Sequence, residues 1–163
     1  MSSNTSYRVA ILIVSDRVSR GEREDKSVEI IRQKLVNFSV GEIAADIVAD
    51  EEQEIAARLE KLAADGFNLI LTSGGTGFGP RDVTPEATMA VIDREAPGIA
   101  EAIRAYSMQF TGRAMLGRGR AGLLGSALII NLPGSPKAVA ESLDAILAQL
   151  EHALQMLAGG DHS

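Results

Sequence analysis

The stretch LILTSGGTGFGPRDVTPEAT, Leu69–Thr88, sets three kinds of backbone end to end. Its opening belongs to an apolar run, FNLILTS, that reads as a strand buried on both faces. Glycines then stand at 74, 75, 77 and 79. Lacking Cβ, they admit positive φ and let a ligand approach the main chain closely. Arg81 and Asp82 follow, and Thr84-Pro85 predicts a helix start, with Thr84 as N-cap and Pro85 at the first helical position. A buried strand passing through a glycine loop into a helix is the repeating unit of parallel α/β sheets.

The same alternation extends in both directions. YRVAILIVS, residues 7–15, is another near-continuous apolar run. The polar DRVSRGERED after it reads as a loop. From Asp25, Val28, Ile31, Leu35 and Phe38 recur every three or four residues, which predicts a helix with one buried face. A strand is expected at Ile43–Val48. A helix should follow, with Asp50 and Gln53 as a capping box, Ile55, Leu59 and Leu62 as its stripe and Gly66 as its stop. Beyond the opening stretch, the helix begun at Thr84 is predicted over 84–95 and broken by Ala96-Pro97-Gly98. A further helix carries Ile99, Ile103, Tyr106 and Phe110 on one face. TGRAMLGRGRAGLLG holds too many glycines for a regular helix and reads as loop or short strands. SALIINL is the last strand. Ser135 and Pro136 open a long helix with a seam of Val139, Leu143, Ile146, Leu150, Leu154 and Leu157. Right-handed crossovers then dictate an α/β fold with a largely parallel sheet covered on both faces. One domain is expected over residues 1–163, with loose ends at 1–6 and 158–163.

Composition narrows the function. The 163 residues suffice to bury a core without staples, and 45% hydrophobic with 23% charged residues fits a soluble globular chain. No cysteine is present, which excludes disulfides and thiolate metal sites and allows a cytoplasmic location. A net charge of −6 argues against nucleic acid as a partner, though not against a local basic pocket for an anion. No apolar run approaches the ~20 residues of a membrane helix, and the polar MSSNTSYR predicts no export signal. His152 and His162 lack partners at metal-ligand spacing, and Met89, Met108, Met115 and Met156 read as core filler.

Ligands of open α/β sheets bind beyond the carboxyl ends of the strands. Here those ends carry Ser15-Asp16-Arg17, Asp50, Gly74-Gly75-Thr76-Gly77 with Arg81-Asp82, and Pro133-Gly134-Ser135-Pro136-Lys137. Exposed N–H groups of a glycine loop suit phosphate oxygens. The GGTG run is neither a Walker loop nor a GxGxxG fingerprint, so a plain tight turn is the competing reading. Asp50 and Asp82 could share Mg²⁺ with phosphate oxygens; alternatively Asp50 is an N-cap and Asp82 pairs with Arg81 on the surface. Arg113, Arg118 and Arg120 are either an anion clamp or a solvated loop. Lys137, a cation in the first turn of a helix, is explained by a nearby anion or by solvation.

With these residues set out, TSGGTGFGPRDVTPEAT resembles the signature of the molybdopterin-binding family, which includes the bacterial MogA and MoaB proteins and the G domain of gephyrin and plant Cnx. The likeness extends to ILIVSDRVSRGEREDKS, VADEEQEI, DREAPGIAEAIR and LIINLPGSPKAV. It implies a three-layer α/β/α sandwich that assembles as a homotrimer. It also implies adenylylation of molybdopterin by Mg-ATP, with a molybdenum-insertion protein as a pathway partner. Asp50 and Asp82 fall at the family's essential acidic, metal-binding positions. Thr72, Ser73, Gly74, Gly75, Thr76 and Gly77 are expected to line the nucleotide and phosphate site, Ser15 and Asp16 to flank it, and Pro133, Gly134 and Ser135 to close it. A relative that binds molybdopterin without turnover is the alternative, and PRDVTP favours the enzyme. The chain departs from the family where Gly117 replaces a common Ser and Ser135 a common Asn or Gln, and it lacks a C-terminal extension that some bacterial members carry.

Overall fold

In a computed structural model, residues 6–159 are described. Of the expected loose ends, only Ser6, Ala158 and Gly159 fall inside that range; the rest, His162 included, lies outside the described residues. The elements in chain order are β1 (Tyr7–Val14), α1 (Asp16–Ser19), α2 (Ser27–Lys34), β2 (Val40–Val48), α3 (Glu52–Ala64), β3 (Leu69–Ser73), α4 (Thr84–Val91), β4 (Arg94–Glu95), α5 (Pro97–Ser107), a 3₁₀ turn (Gly112–Leu116), β5 (Ala121–Leu124), β6 (Ala127–Leu132) and α6 (Pro136–Leu157). The strands form one sheet in the order β2-β1-β3-β6-β5-β4. The first three pairings are parallel, as the alternation of strands and helices dictates, and the last two are antiparallel.

The pleat splits each central strand between two cores. Val9, Ile11, Ile13, Leu69, Leu71, Leu128 and Ile130 meet Ile31 of α2, Ile103 of α5 and the Val139–Leu154 seam of α6. Ala10, Leu12, Val14, Ile70 and Ile129 meet Ile55, Leu59 and Leu62 of α3 and Ala87 of α4. Helices therefore cover both faces, giving the three-layer α/β/α sandwich.

Four local expectations are corrected. The helix begun at Thr84 ends at Val91 instead of Glu95, because Asp93–Glu95 are drawn out to pair with the β5 edge: Asp93 N donates to the Leu123 carbonyl at 2.7 Å and Ala96 N to Ala121 at 2.8 Å. Sheet pairing here overrides helix propensity. Asp50 does not cap α3; Glu51 holds the N-cap position without a side-chain bond, and Asp50 is engaged elsewhere. Thr84 lies inside the first turn of α4 and also makes no cap. Met89, Met108, Met115 and Met156 are exposed, as is Phe110, which leaves α5 beyond Ser107 but still stacks edge-on against Tyr106 at 5.4 Å. In addition, part of the polar DRVSRGERED forms α1, capped by Ser15 Oγ, which accepts from Val18 N at 3.2 Å.

Ile129 is fully buried in the sheet centre. Ile129→Ala should lower the urea unfolding free energy by about 2–5 kcal/mol at unchanged m. Val36→Ala, at an exposed position, should stay within about 0.5 kcal/mol.

Candidate active site

Because β2, β1, β3 and β6 run parallel, their exits converge on one edge. The main chain ties these exits together: Ser15 N donates to the Val48 carbonyl at 3.0 Å, and Gly74 N to the Leu132 carbonyl at 3.1 Å. A cavity of about 640 Å³ opens there, bordered by Ser15, Asp50, Ser73, Gly74, Gly75, Asp82 and Gly134.

The glycine loop is shaped by what surrounds it. Gly74 has φ of 109° and Gly75 of 70°, in the region that favours glycine. A Cβ on Gly74 would run into the Val14 carbonyl, and one on Gly75 into Thr84 Oγ1. Thr84 Oγ1 donates to the Gly74 carbonyl at 2.9 Å and Thr84 N to the Gly75 carbonyl at 3.1 Å. The threonine thus pins the loop it follows. The Gly74 amide is taken by Leu132. Those of Gly75, Thr76 and Gly77 have no partner among the described residues, nor do those of Gly134 and Ser135 at the start of the 22-residue α6. Open amides beside a helix N-terminus are what phosphate oxygens require.

Two aspartates brace the neighbouring exits. Asp50 Oδ2 accepts from Asp16 N at 2.8 Å, and Asp16 Oδ1 accepts from Asp50 N at 3.0 Å. Arg81 donates to both Asp16 oxygens at 3.0 Å and to Glu51 at 2.9 Å. Its guanidinium, then the Asp50 amide, hold the Asp16 carboxyl below the usual carboxylate range. Burial pushes the Asp50 carboxyl up, and the charges of Asp16 and Asp82 add to that. A cation between Asp50 and Asp82 would relieve the strain of gathering these charges. Asp82 Oδ2 accepts from Gly79 N at 2.9 Å.

Arg118 secures the loop from the other side. It donates to the carbonyls of Gly77 at 2.8 Å and Asp82 at 2.7 Å and to the Glu86 carboxylate at 2.7 and 3.2 Å. That ties the glycine loop and Asp82 to α4. Of the three candidate clamp arginines, Arg118 is therefore committed to the protein, Arg120 is paired with Glu95 at 2.6 Å, and Arg113 borders a second cavity.

Other sequence-predicted residues fall in distinct places. Thr72 is buried beneath the site, its hydroxyl accepting from Asn131 Nδ2 at 3.1 Å. Ser73 Oγ contacts the Pro133 carbonyl at 2.9 Å and joins two exits. Asp16 does not border the 640 Å³ cavity but a separate, open surface pocket shared with Glu51 and Arg81, and Ser135 caps α6 by accepting from Ala138 N at 3.3 Å. Thr76 and Pro133 border the second cavity, of about 220 Å³ and mostly apolar lining, with Arg104, Asn131, Glu141 and Ser142. Sequence reading overlooked Arg23 and Lys26, which border the large cavity from the segment after α1. Their only signal was being cations in a loop beside a strand exit, and chain periodicity does not say which way such a loop folds.

Gly75→Ala should weaken triphosphate binding at least tenfold by equilibrium titration and lower stability by about 1–3 kcal/mol, since both the φ and the Thr84 contact forbid the methyl. Gly98→Ala, with open space around it and an ordinary φ, should leave both unchanged or raise stability.

Comparison with known proteins agrees with this architecture. The model of the family described as "Probable molybdopterin binding domain" matches residues 10–152. The chain is 37% identical to a molybdopterin adenylyltransferase of Helicobacter pylori J99, covering 94% of this chain and 89% of that one. It is 36% identical over 99% of its length to a molybdenum cofactor biosynthesis bifunctional protein of Chlorobaculum tepidum, but spans only 53% of that relative. The crystal structure of the molybdopterin biosynthesis enzyme MoaB from Thermus thermophilus superposes with a TM-score of 0.87 at 47% identity, covering 96% of this chain and 99% of that one. The sheet, its converging loops and these matches agree, and the chain belongs to the molybdopterin-binding domain family.

Proposed function

We propose that the protein is a molybdopterin adenylyltransferase of molybdenum cofactor biosynthesis, using Mg-ATP and releasing pyrophosphate. One observation carries the reading: two chemically unlike cavities lie against one glycine loop. The larger one has open amides, Asp50, Asp82, Arg23 and Lys26, which suit a triphosphate with its cation. The smaller one, mostly apolar with a few polar groups, suits a heterocyclic ring. The two meet where Gly75 borders one and Thr76 the other.

The chemistry asks little covalent work of the protein. An oxygen of the terminal phosphate of molybdopterin attacks the α-phosphorus of ATP. The bond from that phosphorus to the bridging oxygen breaks, and pyrophosphate leaves with its electron pair. A phosphate monoester has its second pKa near ~6, so its oxygen is already anionic at neutral pH and needs no general base. Positioning and charge neutralisation remain, as in phosphoryl transfer generally. The open amides of Gly75 and Gly134, which border the larger cavity, hold phosphate oxygens. Asp50 and Asp82 would hold the Mg²⁺, whose remaining positions phosphate oxygens and water would fill. That ion would offset the negative charge gathering on the phosphates.

Homotrimeric assembly, a cytoplasmic location and delivery of the product to a molybdenum-insertion protein belong to the same reading. Exposed Met108, Phe110, Met115 and Leu116 support self-association, because apolar residues concentrated in one exposed segment mark contact surfaces. No helix among the described residues is long and apolar enough to cross a membrane.

Protein, molybdopterin, ATP and Mg²⁺ should yield pyrophosphate, and Asp82→Asn should slow release by about two orders of magnitude while pterin binding persists. Absence of release by the wild type would leave a binding protein, and undiminished release by the variant would remove Asp82 from the reaction. Light scattering should give three times the 17.2 kDa chain mass, and Met115→Asp with Leu116→Asp should reduce it.

A further inference from the structure

The smaller cavity contains two polar groups that nothing in the fold explains. Ser142 Oγ is the buried side-chain polar atom with no hydrogen-bond partner among the described residues. Its neighbour on α6, Glu141, borders the same cavity with its side chain only 15% exposed, and no hydrogen bond to its carboxylate is formed among the described residues. Its nearest cation is Lys137 at 3.9 Å, itself 83% exposed. A pair so long and so solvated contributes almost nothing, and the order Lys then Glu at i,i+4 is the weaker one on a helix. The buried hydroxyl without a partner costs free energy in the free protein, and the carboxylate beside it is largely sheltered with no hydrogen bond of its own among the described residues. They sit together beside an apolar cavity, where a planar ring with matching donors would satisfy them.

From this juxtaposition we infer that Glu141, with Ser142 beside it, is the specificity-determining contact for the 2-amino-4-oxo pyrimidine edge of the pterin. This rests on the smaller cavity being the pterin side of the reaction proposed above. The 2-amino group and N3–H of a pterin form a parallel pair of donors with the spacing of a guanidinium fork, which a carboxylate accepts bidentately. A 2,4-dioxo ring presents an oxygen where the amino group was and sets it against the carboxylate, so the site rejects it. The apolar walls hold the ring faces, and the Ser142 hydroxyl gains its missing partner at the ring edge. Thr76, between the two cavities, marks the side from which the phosphate-bearing arm reaches the nucleotide.

The test uses the full chain with pterin-6-carboxylate and lumazine-6-carboxylate, which differ at the 2-position, titrated by fluorescence. The wild type should prefer the pterin by tenfold or more, as expected for a charge-assisted bidentate contact. Glu141→Gln should lose most of that preference and leave ATP affinity unchanged. Ser142→Ala should weaken pterin binding several-fold while the melting temperature of the free protein stays level or rises, the opposite of a structural serine. Absence of a pterin preference in the wild type, or a preference retained in Glu141→Gln, overturns the inference. Pyrophosphate release by the same preparation keeps the two readings apart. Preference without release leaves the pterin contact standing and removes the transferase, whereas release with the preference intact in Glu141→Gln removes the contact alone.

Discussion

The site depends on one crowded crossing. At Gly74 and Gly75 the chain leaves β3 and passes between the Val14 carbonyl on one side and the Thr84 hydroxyl on the other, with no room for a Cβ at either residue. The crossing is fixed because both walls are fixed. Val14 ends a strand paired on both sides, and Thr84 begins a helix packed on the second core through Ala87. Holding the glycines there leaves the amides of Gly75, Thr76 and Gly77 without partners among the described residues, a cost that a bound anion would offset.

Charge in this acidic chain is held in place by the same kind of constraint. In the sequence Arg81 reads as a surface partner of Asp82 and Arg118 as an anion clamp or a solvated residue, yet Arg81 is used on Asp16 and Glu51 and Arg118 on the carbonyls of Gly77 and Asp82. They set the positions of Asp16, the glycine loop and Asp82. Arg23 and Lys26, by contrast, border the cavity and form no ion pair among the described residues. A fixed frame of arginines around two aspartates and open amides is a preorganised environment. For the proposed transfer it would need little rearrangement as charge builds up, which is where electrostatic catalysis gains most.

How much of this was legible follows from the range of each interaction. The central strands announced themselves as continuous apolar runs because they are buried on both faces, and α3 and α6 by their stripes. The signature from Thr72 to Thr88 located the glycine loop on which the candidate site is built, since Gly74 and Gly75 stand where only glycine fits. The misjudged positions share a cause. Asp50 and Thr84 both carry the local chemistry of an N-cap, but each has a stronger partner from another strand exit: Asp16 for the first, the Gly74 carbonyl for the second. The segment after Val91 has helical periodicity and an unpaired sheet edge beside it, and the edge prevails.

The sequence by itself determined the parallel α/β layering, the edge of the sheet that carries the site and the family, because these rest on hydrophobic period, crossover handedness and the needs of glycine, all properties of contiguous residues. Only the tertiary structure decided the division of the candidate site into a polar and an apolar cavity, the commitment of Arg81 and Arg118 to the frame, and the lack, among the described residues, of a hydrogen-bond partner for the Glu141 carboxylate and the Ser142 hydroxyl. Those depend on groups that are dozens of residues apart in the chain and meet within hydrogen-bond distance only after the sheet has formed.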